Sequence, residues 1–212
     1  MNATLQPLFD GIVEGDMNQV RQETEQAVRS GVDPRTILTE GMIPAMAEVG
    51  NRFQRGEYYV PEMLIAARAM KAGLQVLKPH LQNVPVQSTG KVVIGSVKGD
   101  LHDIGKNLVG MMLEGAGFQI VDLGADVPPE KFVEAVHQTG ANLIAMSALL
   151  TTTMPNMREV VHALEQAGLR GQLKVMVGGA PLNDEFAHEI GADGYAQDAN
   201  RAVALAKALI AP

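Results

Sequence analysis

From residue 91 onward, short apolar runs alternate with stretches of helical period, and this alternation constrains the fold more tightly than any other feature of the chain. Residues 92–97, Val-Val-Ile-Gly-Ser-Val, form an apolar run of the kind that is buried on both sides in a parallel sheet. Further runs at 119–123, 143–147, 174–177 and 194–196 predict four more strands. Helices are predicted over 105–116, 129–139, 154–168, 183–190 and 198–210. Strands alternating with helices build a parallel, doubly wound sheet. Five strands fit the flavodoxin-like (Rossmann-type) order with helices on both faces, whose cleft opens at the switch point beside the first strand.

Before residue 83 the pattern is helical throughout. Leu5, Leu8, Phe9, Ile12 and Val13 recur at helical spacing up to Gly15. Asp16 is placed to cap a second helix carrying Met17, Val20, Thr24, Ala27 and Val28, which Gly31 stops. Asp33-Pro34 is a strong start for a third: a capping carboxylate, then proline at the first helical position. That helix contains Pro44, where a kink is expected, and breaks at Gly56. Pro61 opens a fourth with Met63, Leu64, Ala67, Met70, Leu74 and Leu77, expected to end before Pro79. Four helices with short connections predict an antiparallel bundle. Residues 83–90, Asn-Val-Pro-Val-Gln-Ser-Thr-Gly, have no helical period and read as a linker. The expected organisation is α + α/β: a four-helix bundle cap over 1–84, a linker at 85–90 and an α/β domain over 91–212.

Composition narrows the function. The formal charge is −7 and the Lys and Arg residues are scattered, so no basic face for nucleic acid is expected. There is no Cys, which excludes disulfides, cysteine–zinc sites and cysteine nucleophiles and fits a reducing cytosol. No signal peptide is visible, and no apolar stretch is long and uncharged enough to cross a membrane, so a cytoplasmic protein is expected. With 4% aromatic residues and no Trp, the core must be built from aliphatic side chains and the 12 Met.

Three motifs carry chemistry. Gly99-Asp100-Leu101-His102-Asp103-Ile104-Gly105-Lys106-Asn107 follows the first strand, placing an imidazole on the ligand-binding edge with a carboxylate two residues before it. A carboxylate that accepts one ring N–H orients the imidazole and frees the other nitrogen for a metal; the plainer reading is a loop histidine near a helix start. Ser147-Ala148-Leu149, followed by Leu150-Thr151-Thr152-Thr153-Met154-Pro155, lies after the third strand on the same edge. Its hydroxyls are suited to a polar ligand or to a supporting carboxylate, while Thr153 is equally placed to cap the next helix. Gly178-Gly179 after the fourth strand permits a close approach to the backbone, or simply makes a tight turn.

Together these residues resemble the cobalamin-binding domain of methionine synthase and of the corrinoid proteins of methyltransferase systems. The family pattern is Asp-x-His-x-x-Gly, about forty residues, Ser-x-Leu, just under thirty residues, and Gly-Gly. Here 41 residues separate Gly105 from Ser147, and 28 separate Leu149 from Gly178. Tyr58-Tyr59-Val60-Pro61-Glu62-Met63, with Ala66-Ala67-Arg68-Ala69-Met70-Lys71 after it, is similar to the helices of the family's cap bundle, so the resemblance covers essentially the whole chain.

The resemblance implies a role for each position. His102 would be the lower axial ligand to cobalt, binding cobalamin base-off and His-on. Asp100 would accept its hydrogen bond, and Thr153 would complete the relay where the family often has Ser. This relay would accommodate a proton when the imidazole is released. Asp103, Ile104 and Gly105 would lie against the cofactor. Ser147, Leu149, Thr151, Gly178 and Gly179 would line the cleft taken by its displaced nucleotide tail. Tyr59, Met63 and Met70 would face the upper, methyl-bearing side, although both methionines are also suited to ordinary bundle core. The function implied is a methyl carrier, not catalytic alone, loaded with methylcobalamin or another corrinoid. It would shuttle methyl from a substrate-specific methyltransferase to an acceptor methyltransferase using tetrahydrofolate or a thiol, with a reductive activase as a third partner. Methanol, methylamines, betaines and methoxylated aromatics all remain open as donors. Alternatives are a cobalamin-dependent sensor, for which no DNA-binding module precedes the bundle, and the small subunit of an adenosylcobalamin mutase, which usually lacks the bundle. A dinucleotide or flavin binder would need a glycine fingerprint that Gly95-Ser96-Val97-Lys98-Gly99 does not provide.

Overall fold

The computed structural model describes residues 3–81 and 89–211. Two compact units divide the chain: Met1–Gln87 with Gly115–Gly117, and Ser88–Glu114 with Phe118–Pro212. Of the linker expected at 85–90, residues 85–88 lie outside the described residues.

The first unit is helical. A short 3-10 turn, Ala3–Leu5, leads into α1 (Gln6–Glu14) and α2 (Met17–Arg29). α3 (Pro34–Thr36), a π-helical turn (Ile37–Met42) and α4 (Ile43–Gln54) follow one another directly, and α5 (Val60–Leu81) completes the unit. The local causes are those visible in the sequence. Gly15, at φ 79, closes α1 in the left-handed conformation that glycine adopts without steric cost. The Asp16 carboxylate accepts the N–H groups of Asn18 and Gln19, and that of Asp33 accepts the N–H of Thr36. Glu62 reaches back to accept the N–H of Tyr59 at 2.9 Å, the reciprocal half of a capping box, at the start of α5.

Two details differ from expectation, both at prolines. The irregularity expected at Pro44 takes the form of the π turn just before it, where Ile43 N–H donates to the Leu38 carbonyl. Pro44 brings no N–H and its ring crowds the carbonyl four residues back, so the wider turn relieves the contact. α5 does not end before Pro79 but continues to Leu81 with the proline inside it. Pro79 forfeits its own bond to the carbonyl of Gln75, and the helix stops two residues later.

The second unit is the α/β domain. Its strands are β1 (Lys91–Ser96), β2 (Gln119–Asp122), β3 (Leu143–Ser147), β4 (Lys174–Gly178) and β5 (Gly194–Ala196). The helices are α6 (Ile104–Gly115), α7 (Pro129–Thr139), α8 (Pro155–Gln166), α9 (Asp184–Glu189) and α10 (Ala199–Ile210). The sheet is wholly parallel in the order β2-β1-β3-β4-β5, as the alternation predicts. Val93, Ile144 and Val175 join Phe132 of α7, Val160 and Leu164 of α8 and Ala187 of α9 in one core. Their strand neighbours Val92, Leu143 and Met176 are buried as well. Because successive strand residues point to opposite faces, the central strands are covered on both sides.

Register decides what comes together at the carboxyl edge. Ser96 pairs with Ser147, and Ser147 with Gly178. The loops after β1, β3 and β4 therefore leave the sheet side by side, and the chain switches direction between β1 and β3.

Gly73 shows how closely the bundle helices approach. A Cβ there would lie 2.7 Å from Met42 Cε and 2.8 Å from Val20 Cγ1. Gly73→Val overfills this contact, and urea unfolding should show a loss of about 1–3 kcal/mol; a more stable variant would contradict the packing described.

Candidate functional site

The site is built on Asp100. β1 ends at Ser96, Val97 makes a single parallel bridge to Val127, and Gly99 turns the chain at φ 80. Asp100 then turns inward: its side chain is 0% exposed, while that of His102 is 49% exposed. One carboxylate oxygen, Oδ1, accepts both the backbone N–H of His102 at 3.0 Å and ring Nδ1 at 2.8 Å. The other, Oδ2, accepts Leu149 N–H at 2.7 Å, Leu150 N–H at 3.3 Å and the Thr153 hydroxyl at 2.6 Å. Residues of the β1–α6 and β3–α8 loops thus converge on one buried carboxylate.

Charge follows from this geometry. Burial by itself would raise the Asp100 pKa, but the Thr153 hydroxyl, the Leu149 N–H and both groups of His102 outweigh it and hold the carboxyl well below the usual carboxylate range. An ionised carboxylate only accepts, so Nδ1 carries a proton, and in the neutral ring the lone pair is on Nε2. Nε2 has no hydrogen-bond partner among the described residues. This is an imidazole locked in one tautomer and one orientation, with its other nitrogen available to a metal.

Thr153 corrects the plainer of its two readings. α8 begins at Pro155 after Met154, with no side-chain cap. The Thr153 hydroxyl lies 2.6 Å from Asp100 Oδ2 and 2.9 Å from the Leu150 carbonyl. It has one proton to give, and the bond to the charged acceptor is the stronger.

The other expected residues divide by exposure and packing. Ser147 is half-buried at the end of β3, Thr151 is exposed, and the Leu149 side chain is exposed while its N–H serves Asp100. Asp103, Ile104 and Gly105 are exposed at the start of α6, and a Cβ on Gly105 would meet nothing within 4 Å. Gly179 has a different reason to be glycine: at φ 139, a Cβ would lie 1.8 Å from the Ala148 carbonyl oxygen. At Gly178 the nearest atom to a Cβ would be the Ala196 carbonyl oxygen at 3.1 Å. In the helical unit Tyr59 is 66% exposed, whereas Met63 and Met70 are enclosed, so these two act as core in this structure.

Several supporting residues were not apparent from the motifs. The fully buried Ser96 donates its hydroxyl to the His102 carbonyl at 2.7 Å, and Asn156 donates a side-chain N–H to the Lys98 carbonyl at 2.8 Å. Lys106, buried in the first turn of α6, holds the Asp122 carboxylate with contacts of 2.5 and 2.6 Å. The polar residues in the apolar strand β1 and at the start of α6 are the signal that was there to be read. Leu101 and Ile104, 76% and 73% exposed, leave apolar surface beside the imidazole in the chain.

A carboxyl whose folded pKa lies below its unfolded value near 3.8 stabilises the fold above that value, and the contribution is lost as pH falls further toward the folded pKa. Asp100→Asn places an amide among donors that need an acceptor. At pH 7 the unloaded variant should be less stable by about 2–3 kcal/mol, with the gap to wild type narrowing below pH 4. Urea unfolding at both pH values measures this, and a gap independent of pH would overturn the assignment of an ionised Asp100.

Comparison with known proteins gives the family. A B12 binding domain family matches residues 90–204, and a second B12 binding domain family matches residues 4–78. Trimethylamine corrinoid protein 1 of Methanosarcina mazei is 43% identical over 203 residues, 95% of this chain and 94% of the relative. Dimethylamine corrinoid protein 1 of Methanosarcina acetivorans is 43% identical over 208 residues, 98% of this chain and 97% of the relative. Among solved structures, the methanol:cobalamin methyltransferase complex MtaBC of Methanosarcina barkeri matches with a TM-score of 0.89 at 30% identity, covering 99% of this chain and 80% of the matched one. The two matched domains, the Asp100–His102 site on the carboxyl edge of the sheet and these full-length relatives place the chain in the B12-binding family of corrinoid proteins.

Proposed function

We propose that this protein is the methyl carrier of a methylamine-type methyltransferase system and holds its corrinoid through His102. One observation carries the reading: Asp100 locks Nδ1 of a half-exposed imidazole at the switch point and leaves Nε2 unengaged. The surroundings fit the group. The exposed side chains of Leu101, Ile104 and Leu149 offer apolar surface to a flat macrocycle, and the open space at Gly105 permits its close approach. When bound, the corrinoid supplies a metal centre that accepts a methyl group and gives it up.

The protein's own residues orient and release that centre. His102 would hold the metal in the base-off, His-on form, with Asp100 and Thr153 fixing the ring. On release of the imidazole, Nδ1–H would stay on Asp100. The carboxylate, saturated with donors, would keep the ring oriented through that release, and the relay of His102, Asp100 and Thr153 would accommodate the proton. Ser147, Leu149, Thr151, Gly178 and Gly179 would line the cleft for the nucleotide tail, and Asp103, Ile104 and Gly105 would border the ring. Tyr59 would face the upper side of the ring.

Tri- and dimethylamine corrinoid proteins at 41–43% identity, against 30% for the methanol complex, favour a methylated amine over the other donors. The partners would be a substrate-specific methyltransferase, an acceptor methyltransferase and a reductive activase, and the setting would be the cytoplasm. Among the described residues no helix is long and apolar enough to cross a membrane.

Reconstitution with hydroxocobalamin tests the site. Wild type should bind it stoichiometrically with His-ligated visible bands, and His102→Ala should shift them to the base-off form. Identical spectra for the two would overturn ligation by His102. Asp100→Ala should slow methyl transfer from a methylamine methyltransferase by about 10–100-fold, the usual cost of removing a group that orients a metal-ligating histidine. Transfer from a methanol methyltransferase alone would overturn the choice of donor.

A further inference from the structure

The loop after β2, residues 123–128, contains the only non-glycine residue with positive φ among the described residues, Asp126 at φ 55. A residue with a Cβ pays for that conformation, and Asp and Asn bear it best. Here it places both hydrogen-bonding groups of Asp126 on the β1–α6 loop. Its Oδ1 accepts the N–H of Gly99 at 2.7 Å, and its backbone N–H donates to the carbonyl of Asp100 at 2.9 Å.

These two bonds bracket the Gly99–Asp100 pair. The stem of the β2–α7 loop is laced to β1 on either side: Ser96 N–H donates to the Gly124 carbonyl and Val127 N–H to the Ser96 carbonyl, both at 3.0 Å. Its start is anchored by Asp122, which accepts Gly124 N–H at 2.8 Å and is gripped by the buried Lys106. Asp100 is thus held twice over. Leu149, Leu150 and Thr153 hold its carboxylate, and Asp126 holds its backbone.

We propose that Asp126 is a positioning residue for His102, acting through Asp100. It fixes the peptide groups on either side of residues 99 and 100, so the carboxylate meets Nδ1 without the loop having to order itself when metal binds. The proposal rests on the reading of His102 as the metal ligand. Asp126 needs to be a residue that tolerates positive φ and also carries an acceptor oxygen; its negative charge is not required.

Substitution separates these properties. Asp126→Asn keeps the acceptor and tolerates the same φ. Asp126→Gly keeps the backbone freedom and loses the acceptor, so it is the informative variant, while Asp126→Ala loses both. In unloaded full-length protein, deuterium exchange at Gly99 N–H should be about three- to tenfold faster in Asp126→Gly than in wild type, the range for one lost side chain–backbone bond. It should be essentially unchanged in Asp126→Asn.

The second readout uses protein labelled with nitrogen-15 histidine and loaded with cob(II)alamin. An axial histidine nitrogen splits the paramagnetic resonance lines into triplets that become doublets on labelling. Wild type and Asp126→Asn should show this change fully. In Asp126→Gly the ratio of His-ligated to His-free signal should fall by about three- to tenfold, with the thermal midpoint close to that of wild type. Wild-type exchange and wild-type splitting in Asp126→Gly would overturn the proposal. If Asp126→Gly does not retain the corrinoid, retention by Asp126→Asn supports the proposal and its failure to retain overturns it. A wild-type spectrum indifferent to the label would instead refute His102 as ligand, and the clamp itself is then decided by Gly99 exchange, which needs no corrinoid.

Discussion

A carboxylate removed from water with no compensation is among the most costly things a fold can contain. Asp100 is fully buried, and the surrounding loops are arranged to offset that cost. Five donor groups reach its two oxygens: two from His102, the backbone N–H groups of Leu149 and Leu150, and the Thr153 hydroxyl. Each belongs to a loop that would otherwise be free to vary. The parallel register that aligns Ser96 with Ser147 is what brings those loops within reach of each other. The orientation of the imidazole is therefore a consequence of solving an electrostatic problem in the loop beneath it.

The architecture was legible because it depends on patterns that any segment carries by itself. Apolar runs at 92–97 and 143–147 became β1 and β3 to within one residue, and Asp16, Asp33 and Gly15 begin and end helices as their chemistry requires. Departures occurred where a local rule competes with its context. Pro79 breaks a helix interior but sits in a last turn, and the Pro44 irregularity was taken up by a π turn. The distinction between helix end and helix interior depends on where the helix stops, which no window around Pro79 specifies.

The candidate site was legible in its side chains and less so in its backbone. Asp100, His102 and Thr153 come together as their motifs imply, across a sequence separation that only the sheet can close. What was hidden were donors with no residue signature: the N–H groups of Leu149 and Leu150 could have belonged to any residue type. Gly179 makes the complementary point. Its glycine was legible as a close approach, but the approaching group is the chain's own Ala148 carbonyl, a contact fixed by the loop path. Met63 and Met70 carried two meanings at helical spacing, and burial favours packing, leaving Tyr59 as the exposed member of the three.

On the proposed reading of His102 as the metal ligand, saturating Asp100 with donors also sets what the imidazole would keep when it is released. A carboxylate with spare lone pairs and a pKa near its usual value would compete with the ring for a proton and dissolve the pairing that orients it. Here both oxygens are committed and the charge is favoured over the neutral acid, so Nδ1 keeps its acceptor whatever Nε2 engages. On the proposed reading, His102 would leave and rejoin the metal without its loop having to reorder. Such a device would depend on the loop being preformed, which is why hydrogen bonds made to the backbone of residues 99 and 100 would matter at residue 102.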